Sequence, residues 1–302
     1  MRKQRTLREP IEATGIGLHT GKKVEIRLEP AGENSGVIFY REDTDTIIEA
    51  KQENVVDTTL ATTLGKNGVV IKTVEHLLAS LFGLGIDNVF VRLKGDEVPI
   101  MDGSAAPWVY LIKTAGIIEQ RAFKKEIIIK KPVKIKENGK FVALLPSRNF
   151  EIHYSIHFDN AFIGRQKHSL VVNEITFVKE ISKARTFGLL KDIEYLQSNN
   201  LALGGSLDNA IVVDEYGIVN EDPLRYENEF VRHKILDAIG DLSILGYDIK
   251  AKYLAYKSGH DLNSKLIKKL IEDKDAYEIV GNPQRESAVG SLVWAATKDI
   301  EF

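Results

Sequence analysis

The 302-residue chain contains no cysteine. Disulfides are excluded, and any zinc must rest on histidine and carboxylate, which favours a catalytic site over a thiolate-built structural one. An excess of either charge is missing too. Forty-one Lys and Arg against forty-three Asp and Glu leave a net charge of −2, so the basic surface on which nonspecific nucleic-acid binding depends is absent. No apolar run reaches the length of a membrane span, and Met1-Arg2-Lys3-Gln4-Arg5 leads into no signal-peptide core. Three catalytic signatures are lacking as well. The glycines of Gly15–Gly21 have neither phosphate-loop spacing nor a Lys-Ser/Thr ending, which excludes that route to nucleotide hydrolysis. No Gly-x-Ser-x-Gly occurs, and Glu75-His76 lacks the first histidine of an H-x-x-E-H peptidase. What remains, at 43% hydrophobic and 28% charged residues, is a globular chain of one large or two ordinary domains. A cytoplasmic enzyme with no obligate protein partner is the simplest class.

Against these absences stands Arg232-His233-Lys234-Ile235-Leu236-Asp237-Ala238-Ile239-Gly240-Asp241. On a helix Val231, Ile235, Ala238 and Leu242 form an apolar stripe, and His233, Asp237 and Asp241 a polar ridge roughly opposite. An imidazole and a carboxylate one turn apart can hold two corners of a zinc site, although spacing alone more often marks a solvated face. A second helix, over 73–83, has Val74, Leu77, Leu78 and Leu81 facing a core and His76 on the other side. Both segments end alike, Leu84-Gly85-Ile86-Asp87 and Leu245-Gly246-Tyr247-Asp248, and registering them there sets His76 over Asp237. This reads as a faint internal duplication, with one potential ligand at the same place in each copy.

Strands are expected at 24–28, at 37–40 as a buried run, and at 88–93. Pro107 opens a helix through Trp108, Leu111 and Ile112. The pattern restarts near Gln120–Lys125, which places a boundary after residue 122 between a domain 1–122 and a domain 123–302. Asn138-Gly139 suits a hairpin turn, strand 151–158 points His153 and His157 outward as solvated residues, and helices follow at 229–245 and 262–273. The fold class is α+β, two similar layers packed through their helices. His19 and Asp102-Gly103 read as turn residues.

Taken with Gly15-Ile16-Gly17-Leu18-His19-Thr20-Gly21, Thr73-Val74-Glu75-His76-Leu77-Leu78-Ala79, Met101-Asp102-Gly103-Ser104-Ala105, Ala184-Arg185-Thr186-Phe187-Gly188 and Ser258-Gly259-His260, the chain closely resembles the UDP-3-O-acyl-N-acetylglucosamine deacetylases of lipid A biosynthesis, almost end to end. The resemblance implies two β-α-α-β domains with helices sandwiched between sheets, each with a small insertion. It implies one catalytic zinc, with ferrous iron as the alternative in the cell, on His76, His233 and Asp237, leaving a position for water. Glu75 would be the general base, and His260 the charged partner that steadies the oxyanion and protonates the leaving amine. Asp241 would hold His260, Thr186 would donate to the oxyanion and Lys234 would meet substrate oxygens. The substrate would be a UDP-linked acylated amino sugar, and the products acetate and a free 2-amine.

The segment 187–213 is dense in apolar side chains around a short helix and a Gly204-Gly205 break. By itself it reads as a βαβ packing layer. The resemblance makes it a passage for the acyl chain, with Phe187, Ile193, Ala202, Gly205 and Val212 as candidate contacts. Two other readings stand beside a deacetylase: a metal-stabilised sugar-nucleotide or lipid binder without turnover, and a zinc amidohydrolase of another acylated amino sugar. An intact Glu75 and His260 count against the first, since binding alone needs neither a base nor an acid.

Overall fold

The computed structural model describes residues 1–281, so the end of the expected second domain, 282–302, lies outside the described residues. Two mixed sheets organise the chain. In the first, strand Val89–Lys94 pairs antiparallel with Lys23–Pro30 and parallel with Val37–Arg41; Ile11–Ile16 and Thr46–Glu49 complete five strands. In the second, Asp248–Tyr256 pairs antiparallel with Lys140–Pro146 on one edge and parallel with Phe150–His157 on the other. Each central strand is preceded by one helix, Glu75–Gly83 or Glu229–Ser243, and followed by another, Ala106–Ala115 or His260–Glu272. The two halves thus repeat one arrangement, as the shared endings suggest. Those endings turn from helix to central strand, with Gly85 and Gly246 at φ 69° and 76°, the left-handed conformation that ends helices. The α+β class with helices between sheets is what the structure shows.

Each half also carries an extra piece. In the first it is the three-stranded sheet Val55–Asp57, Thr63–Lys66 and Val69–Ile71. In the second it is the parallel pair Phe187–Leu189 and Ile211–Val213, joined through helix Leu190–Ser198.

Several local expectations shift. Helix Glu229–Ser243 is buried on its polar ridge as well as its apolar stripe, because the Glu75–Gly83 helix packs on it, so the ridge is not a solvated face. The last helix begins at His260, two residues earlier than its apolar pattern suggests, after an extended Gly259. Phe39 alone is fully buried in Val37–Arg41. A strand at Lys3–Leu7, paired with Ile117–Phe123, carries no apolar alternation to announce it. Its inward Gln4 and Thr6 are buried because their polar groups are matched, Gln4 Oε1 by Asn88 Nδ2 at 2.9 Å and Thr6 Oγ1 by the Asn88 carbonyl at 2.6 Å. Hairpin 133–144 turns at Asn138-Gly139 with both residues at positive φ, and His153 and His157 are half-buried on the outer side of their strand.

Candidate metal centre

The Glu75 and Glu229 helices meet where the latter presents Gly240. A Cβ there would overlap the carbonyl oxygen of Glu75, so only glycine permits this approach. The approach puts His76 of one helix beside His233 and Asp237 of the other, with one potential ligand atom from each within 4.8 Å of the others. Asp237 Oδ1 lies 3.4 Å from His76 Nε2 and 3.3 Å from His233 Nε2, and the two rings stand edge to face at 5.0 Å.

Two of the three candidate ligands, His233 and Asp237, are oriented from behind. His233 Nδ1 lies 3.1 Å from the carbonyl of Ala184; protonated there, it leaves a bare Nε2 toward the cluster. Ala184 is held in turn by its neighbour: Arg185 donates its amide and Nε to Glu229 Oε1 at 2.9 and 3.0 Å, a fully buried carboxylate at the start of the ligand helix. Lys234 Nζ donates to Asp237 Oδ2 at 2.6 Å, leaving Oδ1 for the histidines. Burial pushes His233 down to about 3, keeping the imidazole neutral. For Asp237 burial works the other way, but the imidazoles around it and the Lys234 ammonium on Oδ2 outweigh it and hold the carboxylate well below its usual range. Asp237 Oδ1 and His76 Nδ1 are buried without a hydrogen-bond partner. A buried anionic oxygen with no donor, facing two imidazole nitrogens, is costly unless a cation completes it, so these residues fit a divalent metal.

Two further groups flank the cluster. Glu75 is buried, its Oε2 accepting from the Thr62 amide at 3.0 Å, and burial raises its pKa. His260 Nε2 lies 3.9 Å from Glu75 Oε1 and 4.0 Å from Asp237 Oδ2. Its Nδ1 contacts Asp241 Oδ2 at 2.9 Å. Burial opposes the charge on His260, yet Asp241 outweighs it and lifts the pKa to about 9. Asp241 is buried, which removes the reading of a solvated helix residue. It also accepts from Thr62 Oγ1 at 2.6 Å and Asn263 Nδ2 at 2.7 Å. Tyr154 anchors the turn before His260 by donating to the Ser258 carbonyl at 2.9 Å.

The remaining candidates spread outward. Thr186 is fixed by its backbone, its amide donating to the Gly103 carbonyl at 2.8 Å and its carbonyl accepting from Ile211 at 2.8 Å. Phe187 stands edge-on to His233 at 6.2 Å and to Phe230 at 5.0 Å, a wall beside the cluster. Ala202 and Val212 are buried, but helix Leu190–Ser198, which includes Ile193, buries no residue fully. Gly205 donates to the Ala202 carbonyl at 3.1 Å, and its neighbours dock on the glycine turn: Gly204 donates to Leu18 and Leu203 to His19. His19 is a turn residue in that its amide, like that of Thr20, donates to the buried Glu97 at 2.9 Å. Asp102 caps its own turn by accepting from Ser104 N at 3.0 Å.

Thr62, Asn263, Glu229 and Glu97 carry no motif and escaped the sequence reading. Their place follows from pairings across long separations, which spacing does not record. A cleft of about 740 Å³ opens instead at the far ends of the two helices, lined by Leu81, Phe82, Ile244 and Arg2, and none of the cluster residues lines it.

Residues 4–272 match the family model described as UDP-3-O-acyl N-acetylglycosamine deacetylase. A protein of Saccharophagus degradans named UDP-3-O-acyl-N-acetylglucosamine deacetylase is 54% identical over 284 residues, 93% of this chain and 94% of its own length. Proteins with the same name from Chromohalobacter salexigens and Nitrosococcus oceani are each 54% identical, the latter over 97% of both chains. A match over nearly the whole chain, coinciding with a buried two-histidine, one-aspartate cluster between duplicated helices, places the chain in the UDP-3-O-acyl N-acetylglycosamine deacetylase family.

Proposed function

We propose that this protein hydrolyses the 2-N-acetyl group of a UDP-3-O-acyl-N-acetylglucosamine, releasing acetate and the free amine, in lipid A biosynthesis in the cytoplasm. The observation that carries the reading is the partnerless Asp237 Oδ1 between His76 and His233, with a carboxylate and an imidazolium on its rim. His76, His233 and Asp237 would hold one zinc ion, or ferrous iron in the cell, which supplies Lewis acidity toward the amide carbonyl and lowers the pKa of water.

The chain's own groups do the rest. Glu75, its affinity for a proton raised by burial, takes one from the attacking water through Oε1 while the Thr62 amide holds Oε2. His260, kept charged by Asp241, steadies the negative oxygen of the tetrahedral intermediate and gives its Nε2 proton to the departing amine. Thr186, between Arg185 and Phe187 in the chain, would donate its hydroxyl to the same oxygen. Lys234 neutralises Asp237 and would meet substrate oxygens from the cluster's edge. Phe187, Ile193, Ala202, Gly205 and Val212 would line a route for the acyl chain, which a water-borne enzyme must shield.

The test is acetate release from the UDP-linked acylated substrate, with and without prior removal of metal by a chelator. Turnover that stops on chelation and returns with zinc supports the reading. Tight substrate binding without acetate would favour a binding protein.

A further inference from the structure

Thr62 touches both halves of the site at once. It sits just before strand Thr63–Lys66 and is 2% exposed. Its carbonyl accepts from the Val74 amide at 3.3 Å, at the entry to the Glu75 helix. Its amide donates to Glu75 Oε2 and its hydroxyl to Asp241 Oδ1, a residue 179 positions away. The hydroxyl has one proton, and the 2.6 Å bond to the carboxylate takes it. The 3.4 Å separation from His260 Nδ1 is then a contact only, since the proton on that nitrogen points to Asp241.

We infer that Thr62 is a positioning residue that sets the general base and the general acid in register across the two halves. Its amide fixes which oxygen of Glu75 faces His260. Its hydroxyl fixes the rotation of the Asp241 carboxylate and, through it, the plane of the His260 ring. Asn263 holds the other oxygen of Asp241, so removing the Thr62 hydroxyl leaves Oδ1 with only the 3.1 Å contact from His260 Nδ1 and loosens the rotation of that carboxylate. The inference rests on the roles proposed for Glu75 and His260.

Thr62→Val removes the hydroxyl while keeping shape and amide; Thr62→Ser keeps the hydroxyl; Thr62→Ala serves as the removal if the valine protein misfolds. The removal should lower kcat for acetate release roughly 10- to 100-fold, the scale of a hydrogen bond to a charged group, with KM changed less than about twofold. Thr62→Ser should return to within about threefold of wild type, and metal content should be equal in all. A readout free of turnover is the low-field Nδ1 proton of His260 in the NMR spectrum, which should move in the removal and return with serine. An unmoved resonance, an unchanged kcat, or a loss that serine does not repair would each overturn the inference. If the wild type itself releases no acetate, the proposed function fails, and the His260 resonance alone decides on Thr62.

Discussion

His233 turns Nδ1 to the Ala184 carbonyl and Nε2 into the cluster, and the metal site proposed there predicts what substitution would do. His233→Ala, or alanine at His76 or Asp237, should abolish stoichiometric, tightly held metal together with activity; metal analysis of the purified variants checks it, and full zinc in His233→Ala would refute the ligand set. Glu75→Ala should behave differently, keeping its metal and losing roughly two to four orders of magnitude in turnover, the contribution of a positioned general base. Near-normal rates would remove Glu75 from the mechanism. His76, His233, Asp237, Glu75 and His260 were legible because they lie in short runs whose spacing and family resemblance can be seen locally. Thr62 and Asn263 were not, because a threonine hydroxyl meeting a carboxylate 179 residues away leaves no trace in spacing. For Asp241 spacing alone leaves a solvated ridge position open, beside the role of holding His260 that the resemblance implies; its burial removes the solvated reading.

At the scale of elements, Gly240 governs how near the two helices come. In an exposed helix a glycine-to-alanine change stabilises by about 1 kcal/mol. At Gly240 the sign should reverse, because the new methyl meets Glu75 backbone and the helices must part, at a cost of roughly 1–3 kcal/mol. Denaturant unfolding of Gly240→Ala measures the balance, and a more stable variant would show that the approach is not tight. The 187–213 piece invites a different experiment. Each methylene taken from water contributes about 0.8 kcal/mol, so shortening the acyl chain by four should lower kcat/KM by roughly two orders of magnitude. Ala202→Trp should penalise long chains far more than short ones, with metal content intact; an equal loss on both substrates would return the segment to mere packing. Helices and hairpins with clean periodicity were readable in the sequence. The strand Lys3–Leu7 was not, since its inward residues are polar and are stabilised by partners elsewhere in the chain.

Across the whole molecule the halves are joined at both ends of the paired helices. Arg2 donates to Asp87 at 2.6 and 2.9 Å and to Asp248 at 2.9 Å, the matching residues of the two duplicated endings, so one guanidinium grips both copies. Arg2→Ala should cost roughly 1–3 kcal/mol, less than a fully orphaned buried charge, because Lys124 Nζ stays 3.0 Å from Asp87. Thermal unfolding tests this, and an unchanged midpoint would show the grip to be ornamental. The proposed division near residue 122 draws support from pairing: Ile117–Phe123 pairs back to Lys3–Leu7, whereas strands from Glu126 onward pair among themselves.

The split ownership of the candidate ligands, His76 from one copy and His233 with Asp237 from the other, would make an ion bound there a gauge of helix separation. By thermodynamic reciprocity, whatever favours the closed pair of helices strengthens the ion's hold by the same factor, about tenfold for each 1.4 kcal/mol. A small molecule wedged into the cleft near Arg2, prising the far ends apart, would therefore compete with the metal without touching any of its ligands.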